Sequence, residues 1–184
     1  MADEWGLARL DRTHQFNGYM LFFLPANFEV TSGFRFLSGR PITAAMGIDA
    51  NGDGQNSTGN NFALDRPYSA PGVSFPRNSF RNTAFKEVNL RLQWKWNIRG
   101  TQRLVFSAEA FNVFNWDNIE LAGTTVQNYC SAPVPLDCGF GAPTNPNFLQ
   151  LTDQNPASTR RGQLLLTNNP GAPRQLQLGV RFEF

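Results

Sequence analysis

The 184-residue sequence has one histidine, His14, and two cysteines, Cys130 and Cys138. A single histidine leaves no second ring for a histidine-based zinc site, and neither triads nor a cysteine nucleophile with an adjacent base can be assembled from motifs. No glycine loop of the phosphate-cradling kind occurs. Catalysis therefore has no candidate constellation, and the chain is not expected to be an enzyme. Runs of like charge are also missing: 16 basic and 14 acidic residues are spread along the chain to a net charge of +2, which excludes nucleic acid as an expected partner. No stretch approaches the roughly 18 apolar residues of a spanning helix; the longest apolar block, Tyr19 to Pro25, is far shorter. The first residues, Met1-Ala2-Asp3-Glu4-Trp5, are acidic and lack the apolar core of a secretion signal. An exported protein that starts this way is expected to be a fragment or a mis-started reading frame.

What is present is an unusual mixture. Aromatic residues make up 13% of the chain, with 17 Phe, yet mean hydropathy is −0.36. Large apolar groups at every second position, joined by polar loops, give both numbers at once. From Lys86 to Trp96 the even positions read Val88, Leu90, Leu92, Trp94, Trp96 and the odd ones Glu87, Asn89, Arg91, Gln93, Lys95. Successive strand residues point to opposite faces, so this segment has one apolar and one polar face. The last residues repeat it: Leu176, Leu178, Val180, Phe182 and Phe184 against Gln175, Gln177, Gly179, Arg181 and Glu183. Leu104, Phe106, Ala108 and Ala110 alternate less cleanly, and two further alternating segments lie near the start. The spacing predicts five strands, about 14–24, 28–37, 84–97, 102–114 and 174–184, of the roughly 9 to 11 residues that a tilted membrane strand needs.

The gaps alternate in length. Tight turns at Pro25-Ala26-Asn27 and around Arg99-Gly100 close two hairpins, while the stretches 38–83 and 115–173 are long and rich in Gly, Pro, Asn, Ser and Thr. Short turns on one side and long loops on the other are the asymmetry of outer-membrane β-barrels, with the short turns periplasmic. The expected architecture is an all-β, antiparallel transmembrane barrel segment. Phe22, Trp94, Trp96, Phe182 and Phe184 then fall at the periplasmic level, and Phe34, Phe36, Phe114 and Trp116 at the outer one, as two aromatic girdles. A soluble β-sandwich also alternates, but it prefers turns every 8 to 12 residues and accommodates two such loops poorly.

Several stretches resemble the C-terminal part of TonB-dependent outer-membrane receptors, in particular the Oar-like group with an N-terminal carboxypeptidase-regulatory-like domain. They are Asp11-Arg12-Thr13-His14-Gln15-Phe16, Leu24-Pro25-Ala26-Asn27-Phe28, Ser38-Gly39-Arg40-Pro41, Asp49-Ala50-Asn51-Gly52-Asp53-Gly54, Asp65-Arg66-Pro67, Arg77-Asn78-Ser79-Phe80-Arg81, Ala108 to Asn115, and Pro173 to Phe184. Only about 121–145 in the last loop matches nothing of the kind. The resemblance implies a parent barrel of about 22 strands holding a plug domain. It further implies energised uptake of a scarce ligand such as a metal chelate, vitamin, glycan or peptide. The plug, and the segment that engages TonB, have no counterpart here. The tail Leu176, Leu178, Val180, Phe182, Phe184 looks like the C-terminal signal read by the outer-membrane assembly machinery, since an exposed strand can add to another sheet edge by main-chain pairing.

The remaining expectations follow from chemistry. Arg35, Arg91, Lys95, Glu109, Arg181 and Glu183 are placed on the lumen face, because a charge against hydrocarbon costs about 2–4 kcal/mol at the midplane. Val88, Leu90, Leu92, Trp94, Trp96, Leu104, Phe106, Leu176, Leu178, Val180 and Phe182 are placed against lipid. Asp49, Asn51 and Asp53 with Gly54 fit the first half of a calcium loop, but position twelve is Asn60 and not Glu, so an EF-hand is rejected and a looser Ca²⁺ site stands beside a plain Asx turn. No other cofactor is expected. Cys130 and Cys138 fit either a disulfide in an oxidising compartment or two unpaired loop thiols. The expected setting is the bacterial outer membrane, with lipid, the rest of the barrel and its plug, TonB and the assembly machinery as partners and ligand selection in the two long loops. A secreted β-sandwich adhesin or glycan-binding module, and a small structural barrel or passive pore, are the alternatives.

Overall fold

The structure, a computed structural model, describes residues 5–47, 65–121, 124–131, 141–165 and 171–184. Its strands are β1 (Gln15–Leu24), β2 (Phe28–Leu37), β3 (Pro41–Ile42), β4 (Tyr68–Ala70), β5 (Val73–Ser74), β6 (Phe80–Arg81), β7 (Phe85–Arg99), β8 (Gln102–Phe111) and β9 (Gln175–Glu183), with one helical turn, α1 (Thr124–Gln127). All three sheets are antiparallel: β1-β2-β7-β8-β9, β3-β6 and β4-β5. The protein is thus all-β. The chain divides into two compact units.

The sheet unit comprises Thr13–Ser38, Ala84–Asn118 and Asn169–Phe184. Its five long strands occupy the five alternating segments. The pairs Leu24↔Phe28 and Arg99↔Gln102 mark the end with tight turns, while Gln15↔Leu37, Leu37↔Phe85 and Phe111↔Gln175 mark the end from which the long connections leave. Ala26 and Asn27 take φ of +60° and +63° to turn the first hairpin, and a bulge between Asn97 and Arg99 precedes Gly100 at φ +57° in the second. The first turn is held from β7: the Trp94 indole N–H donates to the Ala26 carbonyl at 3.1 Å, and the Lys95 amide donates to that of Asn27 at 3.2 Å. Two glycines in the β1–β2 hairpin lie beneath rings. A Cβ on Gly18 would stand 2.1 Å from Phe34 Cε1, and one on Gly33 would stand 3.2 Å from Tyr19 Cε1.

The fourth strand is shorter than the alternation suggests. β8 ends at Phe111 and does not reach residue 114, because Asn112 adopts φ +46°, a left-handed conformation that leaves the strand. Its buried amide then organises the exit. Nδ2 donates to the carbonyls of Trp116 and Ala172, both at 3.0 Å, and Oδ1 accepts the Trp116 amide at 3.0 Å. The Asn118 side chain pairs with both backbone groups of Lys86, Oδ1 accepting its amide at 2.7 Å and Nδ2 donating to its carbonyl at 2.8 Å, in place of a strand neighbour.

The loop unit comprises Met1–Arg12, Gly39–Thr83 and Ile119–Asn168, and takes in most of the long stretches 38–83 and 115–173. β3 to β6 and α1 lie within them, and the unit has its own core. Ala44, Met46, Tyr129, Cys130 and Phe148 form one buried cluster, and Ile42, Leu121 and Val126 a second; Phe80 and Leu149 pack on both. The rings interlock at centroid distances of 5.3 Å for Phe75–Phe80, 5.3 Å for Phe80–Phe148 and 5.0 Å for Tyr129–Phe148. Backbone bonds from Ala45 to Gln127 and from Tyr129 to Ala45 stitch the two segments together. Asn82 adds a two-way pair with Leu121, Oδ1 accepting its amide at 2.7 Å and Nδ2 donating to its carbonyl at 2.9 Å. Leu164 forms an isolated antiparallel bridge with Thr152.

Candidate functional site: a sheet with two unlike faces

The register decides which side chains share a face. Phe28↔Trp94, Trp94↔Phe106 and Phe106↔Val180 form one row; Val30↔Leu92, Leu92↔Ala108 and Ala108↔Leu178 form the next; Trp96↔Leu104 and Leu104↔Phe182 form a third. Apart from the bulged pair Arg99↔Gln102, even positions pair with even and odd with odd, so the even positions of the five strands make one face, broken only by Ser32, Lys86 and Gln102 among its polar members. Val88, Leu90, Leu92, Trp94, Trp96, Leu104, Phe106, Leu176, Leu178, Val180 and Phe182 all lie on it. Its middle and its β9 side are exposed: Leu90 is 40% exposed, Leu92 44%, Val180 67% and Leu178 83%.

The opposite face carries the charges, and they are paired across strands. Arg91 and Glu109, directly opposite in the register, approach to 3.3 Å, and Lys95 reaches Glu29 on the diagonal at 2.8 Å. Glu183 takes both Arg103 and Arg181. Arg35 lies 5.5 Å over the Phe85 ring. Glu29 and Arg103 were not among the charges singled out from sequence; their shared odd parity with Arg91, Lys95 and Glu183 is the signal that finds them. Gln93 and Val105, between these pairs, are buried. A soluble protein buries apolar groups and leaves charges outside. This sheet leaves a continuous apolar face outside as well.

Aromatic rings gather at the two ends of the sheet. Trp94 stacks on Phe28, Trp96 and Phe106 at 5.9, 6.3 and 5.5 Å near the tight turns. Phe182 stacks with Phe184, which follows β9 and is exposed. At the other end Phe16 stacks with His14 at 6.4 Å and meets Phe36 at a tilt at 6.1 Å, and Phe114 stacks with Trp116 at 4.8 Å. Leu176, Leu178, Val180 and Phe182 line the even face of β9, an edge of the sheet. Among the described residues β1 and β9 each have one neighbour, and the sheet is open.

In the loop unit, Asp153 is the hub of a polar turn. Its carboxylate accepts the Ser158 hydroxyl at 2.5 Å, the Asn155 amide at 2.9 Å and the Asn147 side chain at 3.1 Å. The Ser158 bond, followed by that from Asn155, holds the Asp153 carboxyl below the usual carboxylate range. Burial pushes the Tyr129 hydroxyl up; it donates to the Gly141 carbonyl. Cys130 is disulfide-bonded; Cys138, the only other cysteine of the chain, lies outside the described residues. So do Asp49, Asn51 and Asp53, the candidate Ca²⁺ ligands. Among the described residues no three His, Cys, Asp or Glu side chains come together to hold a metal.

No family model matches this chain, and neither a curated protein nor a solved structure is similar enough to count as a match.

Proposed function

We propose that this chain is a membrane-spanning part of an outer-membrane β-barrel, and that the parent is a TonB-dependent receptor taking up a scarce ligand. The observation that carries the first part is the even face: apolar in every strand but for Ser32, Lys86 and Gln102, exposed over its middle and its β9 side, and backed by a face that carries ion pairs. Hydrocarbon is the solvent that accepts one such face, and a hydrated lumen accepts the other. The ring clusters at the two ends of the sheet stand where aromatic girdles meet the membrane–water boundaries. A spanning sheet cannot keep open edges in lipid, so further strands must close it. The receptor assignment rests on the motif resemblance, and ligand selection then belongs to the loop unit. A soluble sandwich would need a second layer over Leu90, Leu92, Leu178 and Val180, and these are the exposed positions.

The test is refolding from urea into phospholipid vesicles and, in parallel, into detergent-free buffer. We expect β-sheet circular dichroism with lipid, and quenching of tryptophan fluorescence by brominated acyl chains. A folded monomer that stays in aqueous solution and escapes quenching overturns the membrane reading. For the parent, the sequence encoded ahead of Met1 should continue as alternating strands and a plug; an unrelated upstream sequence removes the receptor reading.

A further inference from the structure

β1 differs from β9, the other edge of the sheet, in how its free edge is guarded. Among the described residues it pairs with β2 alone. An edge strand offers unpaired N–H and C=O groups, which proteins ordinarily guard with charges, proline or bulges. β1 has no such guard. Gln15–Leu24 contains neither a charged residue nor proline, and its register with β2 runs without a shift. β9, the other edge, carries Arg181 and Glu183.

Both faces of β1 are apolar near the turn. Tyr19, Met20, Leu21, Phe22, Phe23 and Leu24 are all exposed, Tyr19 at 85% and Phe23 at 75%. Met20, Phe22 and Leu24 belong to the even face. Tyr19, Leu21 and Phe23 share the other face with the Glu29–Lys95 ion pair, a neighbour that hydrocarbon does not tolerate. Lipid therefore accounts for one set and leaves the second uncovered. A short window of consecutive apolar β-formers without charge is also what strands use to pair with their own kind.

We infer that the free edge of β1 is a strand-pairing site and that a second copy of this chain occupies it, β1 against β1, antiparallel about a two-fold axis at Leu21. In that register Leu21 meets its own counterpart, Tyr19 meets Phe23, and Met20 meets Phe22. Even positions stay opposite even ones, so both apolar faces run on across the seam, and the contact is self-complementary as a two-fold interface must be. Centring on Met20 instead sets Asn17 against Phe23 and splits the apolar group. Pairing β1 with β9 of a second copy places Arg181 and Glu183 on the same face as Tyr19, Leu21 and Phe23. The two-fold seam inverts one copy relative to the other. It therefore forms where nothing orients the strands, in micelles or in solution, and it competes with any strand of a longer protein for the same edge.

The experiment uses the full chain with Leu21→Cys or Gln177→Cys, oxidised in micelles and in detergent-free buffer, and read on non-reducing gels. L21C should cross-link to a dimer and Q177C should not. Leu21→Lys should lose the dimer in sedimentation while the β-sheet signal stays. Should L21K fail to fold, the cross-linking pair decides the matter by itself. A native chain that is monomeric in both solvents, or cross-linking through Gln177 in place of Leu21, overturns the inference. Lipid partitioning of the same samples reports the barrel reading separately, so either can fail alone.

Discussion

In the loop unit Val126 is 1% exposed and Met46 2%, while in the sheet unit Leu178 is 83% exposed and Gln93 only 8%. The first arrangement is that of any water-soluble core, in which apolar groups are withdrawn from water and the Asn, Asp and Arg side chains bridge the segments outside it. The second is inverted, with leucine and valine presented outward and the ion pairs turned to the other side. One chain thus contains a unit with an enclosed apolar core and a unit with an exposed apolar face. Composition alone does not distinguish the two. The difference teaches that burial has to be read unit by unit, against the solvent each one meets.

The comparison can be broken from either side. The largest effect should come from the ordinary core: Phe148→Ala removes the ring that Tyr129 and Phe80 pack against and should cost the loop unit about 3–5 kcal/mol. Hydrogen exchange should then rise at 44–46 and 126–130 with β7 and β8 unchanged. Loss of protection in the sheet as well would mean that the two units do not unfold separately. Next, Leu90→Arg should destabilise the chain in vesicles by about 2–4 kcal/mol, as measured by urea unfolding. At an exposed site facing water the same change stays within about 0.5 kcal/mol, so a small effect in vesicles would move that face out of the membrane.

Two smaller effects sharpen the boundary between strand and loop. Asn112→Ala strands the Trp116 amide and the Trp116 and Ala172 carbonyls, and a left-handed alanine is strained; we expect a loss of about 1–3 kcal/mol with fraying confined to the β8 exit. Equal loss of exchange protection at the far hairpin turns would contradict it. Last comes acid. The folded Asp153 carboxyl titrates below its unfolded value, so its contribution is fully present above about pH 4 and fades as pH falls through the depressed folded value. Amide signals of 153–163 should shift on acidification in the native chain and stay flat in Asp153→Asn. Matching shifts in both would place the acid response elsewhere.

The strands were legible in the sequence because a face needs only a two-residue period, and each long strand carries it: Val88 to Trp96 and Leu176 to Phe182 state their faces without help. The common even parity of all five was visible in the numbering, although only the observed pairing turns parity into one continuous surface. The loop unit was not legible. Its core draws Ile42, Ala44 and Met46 from one segment, Leu121, Val126, Tyr129 and Cys130 from another and Phe148 from a third, each too short for any period to appear. The stop of β8 was hidden for a different reason. Asn112 sits inside a pattern that continues apolar to Phe114, and its positive φ depends on carbonyls at 116 and 172 that the local sequence does not announce.

The two ring-covered glycines of the first hairpin have a consequence for how it can move. Gly18 faces Phe34 and Tyr19 faces Gly33 in consecutive pairs of the register, so the rings lie over glycine on opposite sides of the ribbon. Sliding one strand by two residues would set Phe34 against Phe16 or Met20, and Gly33 against Asn17 or Leu21, removing both vacancies at once. Sliding by one would exchange the sides altogether. The hairpin is thereby keyed like a lock with wards on either side: it can part from its neighbours as a piece, but it cannot creep along itself to accommodate them.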